Sequence, residues 1–207
     1  METVQGYAAT SWAGGYGDYV MKPDLDTLRR IPWLEGTALV MCDVLDHHSH
    51  DLVPHACRSV LRGQVARLEA KGWTAQMASE LEFFLFKETY EEAQAKRHLG
   101  LTPISAYNAD YHIFQTTKEE DVMRAVRNGL NGADVPVENS KGEADAGQEE
   151  INVRYAPALV MADRHAIIKN GVKEIAWKAG RSVSFMAKWD YDRAGNSSHI
   201  HMSLAGE

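Results

Sequence analysis

With 207 residues, 44% apolar and 25% charged, the chain has the make-up of a globular protein with a real core, in one domain or one domain with an appendage. A net charge of −7 disfavours nucleic acid or an anionic membrane as the main partner. No membrane span or signal peptide is legible, and Cys42 and Cys57 are too few for a disulfide scaffold, so the chain reads as cytoplasmic, with one bridge between the two left open.

Residues 1–36, rich in Gly, Tyr and Trp around Trp12 to Gly17 and with prolines at 23 and 32, read as turns and loop. Residues 37–44 form a short apolar strand candidate. His47, His48 and His50 follow in a turn-like segment, either solvated loop or metal-binding. From Pro54 the pattern is helical, with Val60, Leu61, Val65 and Leu68 at 3.6 spacing and Gly72 closing it. Residues 73–86 read as strand, with a break suggested near Ser79; Leu81, Phe83 and Leu85 face the core, and Glu80 and Glu82 share the opposite face. Residues 87–112 show no period and read as a long loop. Thr117 to Glu120 has the spacing of a capping box opening a helix to about Leu130, ended by Gly129 and Gly132.

Residues 135–139 and 149–155 read as two short strands around a polar connection, 140–148. Residues 159–179 form the longest helix candidate, with Ala162, Ala166, Ile167, Ile175 and Ala176 along one stripe and Gly180 as cap. Strands 182–189 and 198–204, joined by a polar turn, end the chain. The mixed order predicts an α+β domain with a largely antiparallel sheet.

Three clusters of acids and imidazoles lie on these strands: Glu80 and Glu82, Glu149 and Glu150, His199 and His201. Singly, each has a plainer reading as a solvent-facing stripe, a turn or an ordinary strand pair. Residues 83–86 (Phe-Phe-Leu-Phe), however, are apolar on both faces, which implies a strand covered on both sides. Carboxylates there cost several kcal/mol of desolvation unless something positive sits between them. A divalent cation, Mg²⁺ or Mn²⁺, suits oxygen ligands with an imidazole beside them. Two such ions suit phosphoryl transfer from a nucleotide. No Walker-type or kinase-type glycine loop is present, so a nucleotide would be held through its metals and scattered basic groups.

Five motifs in one order then resemble the glutamine synthetase superfamily over residues 37–207: Glu80-Leu-Glu82-Phe-Phe-Leu-Phe, Glu143-Ala-Asp-Ala-Gly147-Gln148-Glu-Glu150, Ala162-Asp163-Arg-His-Ala-Ile-Ile-Lys169, Phe185-Met-Ala-Lys188, and Gly195-Asn-Ser-Ser-His199-Ile-His201-Met-Ser203-Leu. Asn-Ser-Ser, where glutamine synthetases usually carry Ser-Gly-Met, is similar to the bacterial branch that glutamylates amines other than ammonia. The resemblance implies one metal at Glu82, Glu143 and Glu150, and a second, which gathers the ATP phosphates, at Glu80 and His199. It also implies a glutamate-pocket backbone position at Gly195 and nucleotide contacts near His201 and Ser203. The implied reaction is ATP-dependent ligation of the glutamate γ-carboxylate to ammonia or a small amine through a γ-glutamyl phosphate, in homo-oligomeric rings. The implied fold is a remnant of the family's β-grasp domain over residues 1–50 and the first half of a catalytic domain over 51–207. The family's later arginines, the glutamate near the ammonia site and the last carboxylate of the second metal have no counterpart before Glu207, nor has an early aspartate before Trp12. A non-catalytic truncated fragment or pseudoenzyme that keeps metal binding is therefore the alternative reading, and a plain divalent-metal-binding protein a third.

Overall fold

The computed structural model describes residues 17–206. Tyr19–Arg30 (β1) pairs antiparallel with Ala38–Asp46 (β2) in a two-stranded sheet. The loop expected over residues 1–36 is thus corrected from Tyr19 onward, while 1–16 lie outside the described residues. Pro23, Asp24 and Asp26 hide β1 in the sequence: they are poor strand formers, tolerated on an edge strand. Thr27 bridges the register shift between Asp24 and Arg29, its hydroxyl donating to the Asp24 carbonyl at 2.6 Å and accepting the Met41 amide at 2.8 Å.

Cys57–Glu69 (α1) begins three residues after Pro54, and Cys42 and Cys57 are free thiols. Its apolar spacing predicts a core-facing stripe, yet none of its residues is buried. Charge ties it down instead. Arg58 and Arg62 reach Asp24 on β1 and Asp43 on β2.

Trp73–Phe86 (β3) is one unbroken strand at the centre of a second, wholly antiparallel sheet. Within the 87–112 stretch read as loop, Tyr90–Ala95 (α2) forms a short helix with a capping box between Thr89 and Glu92. Ile113–Thr117 (α3) and Glu120–Gly132 (α4) follow. The capping box expected at Thr117 does not form, because Thr117 already lies in the last turn of α3 and its hydroxyl donates to the Ile113 carbonyl at 2.9 Å. Gly129 does not end a helix either. It sits inside α4, where a Cβ would come within 3.0 Å of both Ile175 Cδ1 and the Trp33 ring.

Val137–Gly142 (β4) and Gln148–Val153 (β5) extend the sheet on one side of β3, with the two residues Ala156–Pro157 (β6) farther along the same edge. Ala158–Lys178 (α5) matches the expected long helix, though Ala162 and Ala166 prove exposed and the buried stripe runs through Met161, Ile167, Ile168, Val172 and Ile175. Of the expected strand 182–189 only Ser182–Ser184 (β7) forms; with Ser198–Gly206 (β8) it pairs with the other edge of β3.

The core lies between this sheet and helices α4 and α5. Leu81, Phe83 and Leu85 of β3 pack with Ile151, Val126, Leu130, Ile168 and Val172. Each such side chain contributes on the order of 1.5–3 kcal/mol by leaving water. Phe84 and Phe86 point the other way, under Trp189, at ring distances of 5.4 and 4.8 Å. The strand is therefore covered on both faces along 81–86, all six residues being buried.

Candidate metal centre

Register brings the acids together. Glu82 of β3 stands opposite Glu150 of β5, and Glu80 opposite His199 of β8. Strand alternation turns Glu80 and Glu82 to the same face, and Gln148, Glu150 and Asn152 likewise. Glu143 arrives from the β4–β5 connection, whose closing bond runs from the Glu143 amide to the Gln148 carbonyl at 2.8 Å. Gly147 makes that turn feasible: its φ is +72°, and a Cβ would lie 2.8 Å from the Leu85 carbonyl oxygen.

Two groups result, and in each one ligand atom per residue lies within 4.8 Å of the others: Glu80, Glu82 and His199, and Glu82, Glu143 and Glu150. Glu82 belongs to both. It is 7% exposed and Glu150 3%, so two of these acids are largely removed from water. Glu82 Oε2 accepts the Gln148 side-chain amide and the Ser197 backbone amide, both at 2.9 Å. No donor among the described residues bonds its Oε1. Glu150 Oε1 accepts Asn152 Nδ2 at 2.7 Å. Glu143 is bonded by the Lys141 ammonium and by the Ala144 amide.

The electrostatics match the crowding. Burial pushes the Glu150 carboxyl above the ordinary carboxylate range, and the Glu80 and Glu143 charges add to the push, against the Asn152 hydrogen bond and the Lys141 charge. The His199 hydrogen bond, with smaller help from His201, draws Glu80 below it, and the same contact raises His199. His199 Nδ1 lies 2.5 Å from Glu80 Oε1 and His201 Nε2 lies 3.1 Å from Glu80 Oε2. All-oxygen donors in one group and two carboxylates with an imidazole in the other are the ligand types that Mg²⁺ and Mn²⁺ take.

Of the other residues singled out in the sequence, Gly195 touches the site through its carbonyl, which accepts Gln148 Nε2 at 2.9 Å. His201 joins His199 on Glu80. Ser203 lies farther along β8, opposite Gln76, exposed and in neither group. His47, His48 and His50 are exposed and also in neither group. Sequence reasoning missed the supports. Gln148, Ser197 and Asn152 orient the acids, and Asp145 anchors the 190–197 turn by accepting the Ala194 amide at 2.9 Å and Arg193 Nη1 at 3.1 Å. Their only sequence signal was nearness to the acids: Gln148, Asp145 and Ser197 lie inside the quoted motifs.

Sheet and helices agree with what comparison finds. Residues 54–207 match the family model of the glutamine synthetase catalytic domain, and the chain belongs to that family. Gamma-glutamylethanolamide synthetase of Streptomyces coelicolor is 48% identical over 99% of this chain and 44% of its own length. Glutamate–isopropylamine ligase of a Pseudomonas species is 35% identical over 98% of this chain and 44% of its own. The solved structure of GmaS without ligand superposes with a TM-score of 0.81 at 27% identity, over 92% of this chain and 43% of that one. The chain thus spans under half the length of the relatives it matches, and these relatives are named as ligases or synthetases.

Proposed function

We propose that the chain is part of an ATP-dependent ligase that joins the γ-carboxylate of glutamate to an amine through a γ-glutamyl phosphate. One divalent cation, Mg²⁺ or Mn²⁺, belongs among Glu82, Glu143 and Glu150, and a second between Glu80 and His199. The observation that carries this reading is Glu82: a buried carboxylate shared by both groups, with one oxygen held by two donors and the other bonded by no donor among the described residues. Gln148 and Ser197 fix the direction of that second oxygen, and Asn152 does the same for Glu150. When bound, the cations supply neutralisation of phosphate oxygens and in-line alignment of donor and acceptor.

Within this reading Gly195 offers backbone at the glutamate pocket, and His201 and Ser203 stand towards the nucleotide phosphates. Residues 1–50 are read as a remnant of the small N-terminal domain and 51–207 as half of the catalytic domain, in a homo-oligomeric, cytoplasmic enzyme. Among the described residues no helix is long and apolar enough to cross a membrane. The relatives named for an ethanolamide product and for isopropylamine as the joined amine, with the Asn196-Ser197-Ser198 variation, support an amine other than ammonia.

Calorimetric titration of the chain with Mn²⁺ tests the cation sites. Two sites are expected. Glu82→Gln should abolish both, Glu143→Gln one and Glu80→Gln the other. Unchanged Mn²⁺ binding by Glu82→Gln would overturn the assignment. The ligase reading is tested by adding ATP, glutamate and, in turn, ammonia, ethanolamine and isopropylamine to the gene product in its full natural length. ADP release that needs both glutamate and amine supports it, and a protein that binds Mn²⁺ without any such release returns the reading to a binding-only one.

A further inference from the structure

Among the described residues, Lys141 is the one lysine or arginine bonded directly to the acids of these two groups, and the proposed function does not use it. It lies on β4 opposite Glu150 of β5, on the face of the acids. Its ammonium bonds Glu143 Oε1, on one of the carboxylates assigned above to a divalent ion. Near it stands Asp110, whose Oδ1 is 3.8 Å from Lys141 Nζ, too far for a hydrogen bond. That Asp110 oxygen is buried and has no hydrogen-bond partner among the described residues. Buried acceptors are rarely left so, and each calls for an explanation. The Tyr111 ring completes the surroundings, its centroid 5.0 Å from the ammonium.

The ammonium therefore has two acceptors within a small movement of each other, one satisfied and one waiting. We propose that Lys141 is an internal counter-cation that occupies Glu143 when the divalent ion is away and moves to Asp110 when the ion binds, so that it sets the affinity of the Glu82–Glu143–Glu150 group alone. The inference rests on the cation assignment made above. Three carboxylates drawn together repel one another, and a fixed positive charge offsets part of that repulsion without an ion. The same charge opposes a divalent ion on the same oxygen, because a like charge a few ångströms away in a half-buried site is only partly screened. Asp110 relieves the opposition by accepting the displaced ammonium beside an aromatic face that also favours a cation. The group that contains Glu80 and His199 is not bonded to Lys141.

Mn²⁺ titration of five chains tests this: wild type, Lys141→Met, Lys141→Arg, Asp110→Asn and the double variant Lys141→Met with Asp110→Asn. Lys141→Met should tighten the Glu82–Glu143–Glu150 site about tenfold, the order expected for one unit charge at a partly exposed position, and leave the other site unchanged. Lys141→Arg keeps the charge and should stay within about threefold of wild type. Asp110→Asn removes the second acceptor and should weaken the same site severalfold, and most of that loss should vanish in the Lys141→Met background, as coupling between neighbours requires. Lys141 is about a third exposed (31%) on an edge strand, so the substitutions leave the core intact. Unchanged or weaker binding in Lys141→Met, with wild-type binding present, overturns the inference and leaves the cation assignment standing. Absence of binding in both wild type and Lys141→Met overturns both.

Discussion

Arg58 is the residue whose loss should cost most for its size. Its guanidinium holds three acids from three elements: Asp24 of β1 at 2.8 Å, Asp43 of β2 at 2.6 Å, and Asp163 of α5 through Nε at 2.9 Å and Nη2 at 2.8 Å. The side chain is 13% exposed and that of Asp163 7%, so solvent screens the pairs weakly. Removing one partner of such a pair costs about 3–5 kcal/mol, mostly because the other charge stays buried and unpaired. Arg62 still reaches Asp24 and Asp43 after Arg58→Met, which leaves Asp163 as the stranded charge and puts the loss near the lower end, at ~3 kcal/mol. For a chain of this length that corresponds to a fall in Tm of roughly 6–12 °C. Urea and thermal unfolding measure it. Hydrogen exchange should quicken first in β1 and β2, because Arg58 is their main charged tie to α1 and α5. Adding Asp163→Asn to Arg58→Met should restore part of the stability by removing the stranded charge. A loss below about 1 kcal/mol, or no recovery in the double variant, would refute the reasoning.

Two further substitutions follow from buried groups. Burial pushes the Glu119 carboxyl up to about 7 from an ordinary 4.5, against the opposing pull of the Ser105 hydroxyl and the Lys118 charge. Its folded state binds the proton more tightly than its unfolded state, so its contribution is full below 4.5 and is lost as pH rises through about 7. Glu119→Gln stays neutral, and its stability relative to wild type should grow by about 2–3 kcal/mol from pH 5 to pH 8; a constant difference in urea unfolding across that range defeats the claim. Gly147→Ala should lower stability by ~2 kcal/mol or more, from a left-handed residue and a Cβ 2.8 Å from a backbone oxygen. Because Glu143 hangs from that turn, Mn²⁺ binding at its group should weaken as well, and unaltered binding in a folded variant would show that the turn does not position Glu143.

What the sequence made legible depends on how local each signal is. The strand Trp73–Phe86 and the helix Ala158–Lys178 are readable because their apolar patterns run over 14 and 21 residues, long enough to survive Ala162 and Ala166 falling off the helix's buried stripe. The two Thr-x-x-Glu motifs look alike in sequence, yet the one at Thr89 caps a helix and the one at Thr117 does not. What separates them is that Thr117 ends α3, whose Ile113 carbonyl takes up its hydroxyl, a fact of neighbouring structure that the motif does not contain. Strand β1 was unreadable for a related reason: its Pro and Asp residues are tolerated only because β2 lies beside them. The same holds at the candidate site. Alternation alone put Glu80 and Glu82 on one face, but the sharing of Glu82 between two groups depends on which residues stand opposite, Glu150 and, through Glu80, His199. Register across strands 60 or more residues apart in sequence decides that, and no local pattern encodes it. Lys141 and Asp110 carry the point furthest. One is an ordinary strand lysine and the other an ordinary loop aspartate until the fold brings the Lys141 ammonium onto Glu143 and within 3.8 Å of Asp110.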